Sequence, residues 1–340
     1  SLLATRLLAR IRTTLGTEVR VRELFRSPTV AGIASIIEAG RTSTRPALVA
    51  AQRPDRVPLS FAQNRLWFLD RLEGPSPTYN SPLALRLRGR LDTTALQAAL
   101  MDVVDRHEAL RTVFPSVEGE PHQKILPADE VGPLLQVKDV TDAELRTEID
   151  QAALQAFDLE RDLPVRGHLL RLAPDEHVLV LLLHHIVSDG WSLRPLLADL
   201  ATAYTTRLQG RAPVWEPLPV QYADYTLWQH DLLGDADDPD SLLNEQLTFW
   251  RQTLEGAPEV LELPTDRPRP AEATYQGQVV PLAVEAAAHT QLAKVARERG
   301  VTLFMVLQAA LAVTLAKAGA GTDIPLGTPV AGRSDQALDD

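Results

Sequence analysis

Leu183-His184-His185-Ile186-Val187-Ser188-Asp189-Gly190-Trp191-Ser192 closes the longest apolar run in the chain, Val178 to Leu183. Six uninterrupted apolar residues are strand-sized and predict a strand buried on both faces. Successive strand side chains point to opposite sides, so His184 and His185 are expected to diverge, one toward a cavity and one toward the interior. Gly190 suggests a tight turn or a close backbone approach. Ser192 is placed to cap a helix beginning near Leu193. Strand, histidine pair, turn and helix together set an imidazole at the carboxyl end of a strand, where reactive groups of α/β structures often sit.

Outward from this stretch the pattern stays mixed α/β. Pro174-Asp175-Glu176 reads as a turn that joins the run to an earlier strand, Val165 to Leu172. Leu193 to Gln209 reads as a helix closed by Gly210. Upstream, Ser60 caps a helix carrying Phe61, Leu66, Trp67, Phe68 and Leu69, and Leu83 to Gly89 alternates as a strand. Leu96, Ala99, Leu100, Val103 and Val104 mark an amphipathic helix over Thr93–His107. Leu110–Phe114 and Gln123–Leu126 pair around Glu118-Gly119, and Thr141–Phe157 is helical. Downstream, residues 211–220 hold three prolines and suggest a hinge between lobes. Tyr222–Leu233, Ser241–Leu254, Thr290–Arg299 and Leu303–Lys317 read as helices, the last so apolar that it is expected to be buried. Ile324–Val330 reads as a buried strand.

The front of the chain is different. Residues 1–41 carry seven Arg against three Glu, while the whole chain has a net charge of −11, so the acidic excess lies beyond them. Leu3, Leu7, Leu8, Ile11 and Leu15 recur at helical spacing before Gly16, and Val21, Leu24 and Phe25 suggest a short second helix. Ser27-Pro28-Thr29 caps a third, with Val30, Ile33, Ala34 and Ile37 inward. These read as the last part of a small helical bundle. Residues 41–57 are polar, with Pro and Arg, and read as a linker.

Composition removes several function classes. A chain of 340 residues suggests two or three domains, and 45% hydrophobic with 23% charged residues argues against wholesale disorder. The absence of Cys excludes disulfides, Cys-ligated zinc, iron–sulfur clusters and thiol nucleophiles. The acidic balance argues against nucleic acid or anionic membrane as partners. No apolar run approaches the roughly 20 residues that cross a bilayer. Ser1 stands where an initiator Met would, and no signal peptide follows. The expectation is a cytoplasmic segment of something larger.

Residue chemistry alone leaves three readings of the histidine pair open. Two core histidines satisfied by backbone carbonyls are one. A metal site is another, but the four-residue spacing of His185 and Asp189 converges only on a helix, and no third ligand presents itself, so no metal is expected. General base catalysis is the third, since an unperturbed imidazole titrates near pH 6.5.

Four motifs bring a resemblance to bear. Ser60-Phe61-Ala62-Gln63-Asn64-Arg65-Leu66-Trp67-Phe68-Leu69 is similar to the opening motif of the condensation domains of nonribosomal peptide synthetases. Arg106-His107-Glu108-Ala109-Leu110-Arg111-Thr112-Val113-Phe114 resembles their second motif, His184-His185 with Asp189-Gly190 their catalytic signature, and Tyr222-Ala223-Asp224-Tyr225-Thr226-Leu227-Trp228 their fourth. All four stand in family order, from Pro58 onward. Ser1-Leu2-Leu3-Ala4-Thr5-Arg6-Leu7 and Leu24-Phe25-Arg26-Ser27-Pro28-Thr29 resemble parts of a peptidyl carrier domain, although the Gly-Gly that precedes the serine in that family is absent.

The resemblance implies an α/β, chloramphenicol-acetyltransferase-like fold of two lobes with a tunnel between them, the second lobe incomplete, preceded by a partial all-α carrier bundle. It divides the chain into 1–40 (carrier), 41–57 (linker), 58–210 (first lobe) and 211–340 (part of the second). It implies an acyltransferase in which the α-amine of an acceptor attacks a donor thioester, with phosphopantetheine on Ser1. The implied partners are upstream donor and downstream acceptor carriers and an adenylation domain. His185 is the implied catalytic residue, His184 is structural, Asp189 holds the loop paired with Arg65, and Gly190 lines the tunnel with no room for a side chain. An epimerisation domain is an alternative, disfavoured by Trp191-Ser192 after the glycine. A non-catalytic carrier-docking module is another, disfavoured by the intact histidine pair.

For the remaining motif residues, packing is the simpler expectation. Tyr222, Tyr225 and Trp228 fall on one helix face, and His107 sits near a helix end where the dipole favours it.

Overall fold

The computed structural model describes residues 2–39, 45–268, 270, 279–330, 332–333 and 335–338. They divide into two compact units, residues 1–235 with 331–340, and residues 236–330. The break expected near 211 is therefore not where compactness changes, since residues 211–235 belong to the first unit.

In the first unit, three helices lead: α1 (Leu2–Leu15), α2 (Val21–Arg26) and α3 (Val30–Glu38). Thr29 caps α3 as its sequence predicts, its hydroxyl accepting from Gly32 N–H. The inward face expected of α3 is only partly formed. Ile33 and Ile37 are half-buried, but Val30 and Ala34 are exposed, because α3 leans on α2 alone among its principal contacts. There follow β1 (Val57–Pro58), α4 (Phe61–Glu73), β2 (Asn80–Arg88), α5 (Thr93–Arg106), β3 (Thr112–Val113), β4 (Ser116–Val117), β5 (Glu120–Ile125), β6 (Leu135–Asp139), α6 (Asp142–Ala153), β7 (Val165–Ala173), β8 (Glu176–His184), α7 (Leu193–Leu208) and α8 (Tyr222–Leu233).

The main sheet runs β2-β8-β7-β6, with β8 antiparallel to both neighbours and β6 parallel to β7. β8 owes its central place to its sequence. Leu179, Leu181 and Leu183 pack with α5 and α7 through Leu96, Leu100, Val103, Leu196, Leu200 and Ala203. Val178 and Val180 face α6 through Ala152, Ile149 and Leu145. Leu182 joins Leu66, Phe114, Phe157, Leu159 and Ile186 near the strand's end. A strand covered on both faces can dispense with polar alternation.

The second sheet is small: β5 pairs with β1, β3 and β4. Glu118 and Gly119 both take positive φ at the β4–β5 turn, +56° and +88°, as a tight hairpin demands. α6 stops at Ala153, short of the expected Phe157. Phe157 instead turns inward to full burial, and the Asn80 amide donates to Ala153 O and Gln155 O just past the helix end.

The second unit contains α9 (Leu242–Thr253), α10 (Ala286–Arg299) and α11 (Leu303–Lys317). Gly300, with φ +65°, ends α10 in the left-handed conformation that glycine tolerates. Two expectations fail here. α11 has no buried residue, and Phe304, Met305, Leu307, Leu311 and Val313 are exposed, since α10 is its principal neighbour among the described residues. Ile324–Val330 forms no strand, because no described strand supplies a hydrogen-bonding ladder beside it. Apolar composition secured the helix of α11 but not its burial.

Candidate active site

The end of β8 splits the histidine pair as strand alternation requires. His184 is 2% exposed, and its Nδ1 accepts from Ile186 N–H at 3.1 Å. Phe157 meets the ring edge-on, with centroids 5.9 Å apart. Burial first, and then the neighbouring His185, push its pKa down to about 4, so it is neutral near pH 7. His185 points the other way and is exposed. Its N–H donates to Tyr79 O at 2.8 Å, continuing the β2–β8 pairing by one bond. Its Nδ1 lies 2.6 Å from Ser188 O. A carbonyl can only accept, so Nδ1 carries a proton, and in the neutral ring Nε2 is the nitrogen that holds the lone pair.

The chain then turns on Asp189. Its Oδ1 accepts from Trp191 N–H (3.1 Å), Ser192 N–H (2.9 Å) and the Ser192 hydroxyl (2.7 Å). Ser192 Oγ in turn accepts from Asp189 N–H. Ser192, the expected helix cap, has helical dihedrals and makes no capping bond of its own; its hydroxyl is engaged with Asp189.

The cation at Asp189 is also not the expected one. Arg333 donates from Nη2 to Asp189 Oδ1 and to Ser192 Oγ, both at 3.2 Å. Arg65 is exposed on α4, with no hydrogen-bond or ion-pair partner among the described residues, because its helix turns Gln63 and Leu66 inward instead. Burial works against the Asp189 charge, but the bonds from Ser192 and then Arg333 outweigh it and hold the carboxyl below its usual range. Arg333 lies 144 residues from Asp189, and no local pattern distinguishes it from other arginines.

Gly190 is also less crowded than expected. Its φ is not positive, and a Cβ built on it meets nothing within 4 Å. Gly190→Ala should therefore fold with a stability within about 0.5 kcal/mol of the parent, as for an unconstrained surface site. Urea unfolding of the variant checks this; a loss of several kcal/mol would contradict the open geometry.

The other motifs tie neighbouring elements together. Ser60 caps α4 reciprocally with Gln63, and its hydroxyl is 2.9 Å from the Tyr222 hydroxyl. Tyr222 is buried enough that its pKa rises to about 12, so it stays a neutral phenol. Trp67 Nε1–H donates to Phe114 O. His107 Nε2 is 2.7 Å from Asp199, which Arg106 also meets at 2.9 Å. An ion-pair cluster tying α5 to α7 accounts for His107 better than the helix dipole does. Among the described residues, no group of three or more His, Asp or Glu is placed to hold a metal. Ser1 lies outside the described residues.

Comparison with known proteins gives these features a common origin. The condensation domain model matches residues 54–340, and the phosphopantetheine attachment site model matches residues 1–37. All of the chain aligns at 55% identity with "Probable non-canonical nonribosomal peptide synthetase (NRPS) CymA" of Salinispora arenicola, and at 53% with the dimodular nonribosomal peptide synthase of Bacillus subtilis. The chain spans 4% and 14% of these proteins, respectively. Among solved structures, the X-domain from teicoplanin biosynthesis, in complex with OxyB, superposes with a TM-score of 0.76 at 42% identity, over 82% of this chain and 61% of that one. The first condensation domain of the CDA synthetase shares the mixed α/β fold, with a TM-score of 0.59 at 22% identity over 78% of this chain and 63% of that one. The chain belongs to the condensation-domain family of nonribosomal peptide synthetases, with a phosphopantetheine-attachment segment directly ahead of it.

Proposed function

We propose that this chain forms peptide bonds between two carrier-bound substrates, the α-amine of the acceptor attacking the thioester carbonyl of the donor. One observation carries the reading: His185 is exposed, with Nδ1–H pinned to Ser188 O so that Nε2 is the acceptor nitrogen of the neutral ring, while its neighbour His184 is buried and neutral. An α-amine has a pKa near 8, and a thioester is already activated. What remains is alignment, stabilisation of the tetrahedral oxyanion and removal of one proton. His185 Nε2 takes that proton or holds the amine by it, and the Ser188 carbonyl keeps the ring in the tautomer that allows either. Asp189 and Arg333 fix the loop on which Ser188 sits.

Phosphopantetheine, when bound, supplies the thiol that carries each acyl group. The residue expected to hold it here is Ser1. α1 begins at Leu2 with no acidic residue in its first turn, so its free N–H groups suit a phosphodiester attached immediately before it. Separate donor and acceptor carriers and an adenylation domain are the partners this chemistry needs.

A second reading is favoured by one comparison. The X-domain was solved in complex with OxyB, and the same fold here could serve to recruit a partner protein rather than to join substrates. A single-turnover assay with loaded donor and acceptor carriers separates the two. Amide product dependent on the chain supports condensation; its absence, with both carriers shown to bind, leaves recruitment.

A further inference from the structure

The stretch expected to be a plain linker is held in place from Arg45 onward. Trp228 Nε1–H donates to Pro46 O at 2.7 Å, and the Arg45 guanidinium lies over the Trp228 ring, 4.3 Å from its centroid. Leu48 is buried with Val220 and Trp228. Ala51 N–H donates to Asp224 Oδ1 at 3.3 Å. Arg53 forks onto the same carboxylate, Nε to Oδ1 at 3.0 Å and Nη2 to Oδ2 at 3.1 Å, and its Nη1 reaches Glu108 Oε2 at 2.6 Å. Asp224 is 2% exposed and also accepts from Gln221 N–H at the start of α8. A carboxylate so deeply buried needs a partner, and the strap supplies it. Such planar bidentate pairing is specific to arginine.

From this geometry we infer that residues 45–53 are a strap, locked by Arg53 between Asp224 and Glu108, that shortens the tether of the upstream carrier and so positions it for the reaction. The inference rests on the reading of the chain as a carrier-fed condensation unit. With the strap locked, the tether beyond α3 is the seven residues from Ala39 to Arg45, at most about 25 Å long. With it released, the tether is the nineteen residues from Ala39 to Val57, at most about 65 Å. Effective concentration falls roughly as the −3/2 power of tether length, so release should lower it about fourfold. Asp224 and Arg53 are then positioning residues, acting on where the carrier can go.

The test uses Arg53→Ala and, to avoid leaving an unpaired buried charge, Arg53→Ala with Asp224→Asn, whose amide oxygen can still accept from Gln221 N–H. Hydrogen exchange at Ala51 should speed up about tenfold in either variant, since a bond to a charged acceptor is lost. Spin labels on α3 and α7 should show a broadened distance distribution. In turnover, condensation from the chain's own carrier should drop about fourfold, while condensation from a freely diffusing donor thioester is unchanged. A Gly/Ser insertion of about twelve residues between Glu38 and Arg45, which brings the seven-residue tether to about nineteen, should reproduce the tethered loss without speeding exchange at Ala51. Unchanged exchange and an unchanged distance distribution would overturn the strap. Broadening with an equal loss for both donors, or with no loss for either, would overturn its positioning role. Absence of peptide from the parent chain would instead refute the condensation reading, and the exchange and distance measurements would still decide whether the strap exists.

Discussion

Replacing His185 with alanine should lower peptide bond formation by about 10²- to 10⁴-fold while the chain still folds. The size follows from what the ring supplies. Nε2 is the nitrogen of this exposed ring that Ser188 O does not engage, and losing it removes both an acceptor for the amine proton and a fixed point for aligning the amine. Stability should change little, because the side chain is exposed and its removal costs a single hydrogen bond, that to Ser188 O, worth about 1 kcal/mol. The measurement is single-turnover product formation with loaded carriers, alongside urea unfolding of the same preparation. Wild-type rates in a folded variant would sink the catalytic assignment. Loss of both activity and folding would mean that the loop, rather than the imidazole, had been tested. Asn at position 185 gives a second route, since its amide can bond Ser188 O but offers nothing where Nε2 stood.

The parts of this site that could be read from sequence are those dictated by short-range rules. Apolar continuity from Val178 to Leu183 placed a doubly covered strand, and alternation separated His184 from His185. The limits read for α8 and α11 both agree with the structure. What escaped was set by partners distant in the chain. Arg333 reaches Asp189 across 144 residues, whereas Arg65 lies within a recognisable motif but on its exposed face. Asp189 and Ser192 are both residues that cap helices, and only the backbone dihedrals decide which serves the other. Residues 45–53 have the composition of a linker, and their order depends on Asp224, Glu108 and Trp228. The exposed α11 makes the converse point, since an apolar helix is buried only where something packs against it.

Acidification should destabilise the first unit well before its carboxylates titrate, and His184 should be the largest single contributor. Its native pKa of about 4 lies below the ordinary value near 6.5, chiefly because protonation would place a charge in a buried site against the rings of Phe157 and Tyr79. The unfolded chain therefore binds this proton below about pH 6.5, whereas the native chain refuses it until about pH 4. Stability is complete above pH 6.5, falls as the pH drops through that window and levels off below pH 4. The loss from this residue amounts to about 3 kcal/mol. His107 and His168, also lowered by burial, act in the same direction. Asp189 and Asp224, both held below the usual carboxylate range, have the opposite linkage and are felt only as the pH falls below about 4, so the two windows are separable. Urea unfolding between pH 4 and 7 should show the slope, and His184→Asn, which keeps an acceptor for Ile186 N–H, should flatten it whatever its absolute stability. An unchanged slope in that variant would refute the assignment to His184. Because burial outweighs the charge of His185 in lowering this pKa, His185→Ala should retain most of the acid step. The same burial serves the proposed chemistry: an uncharged His184 adds no positive charge behind the ring that receives an incoming amine.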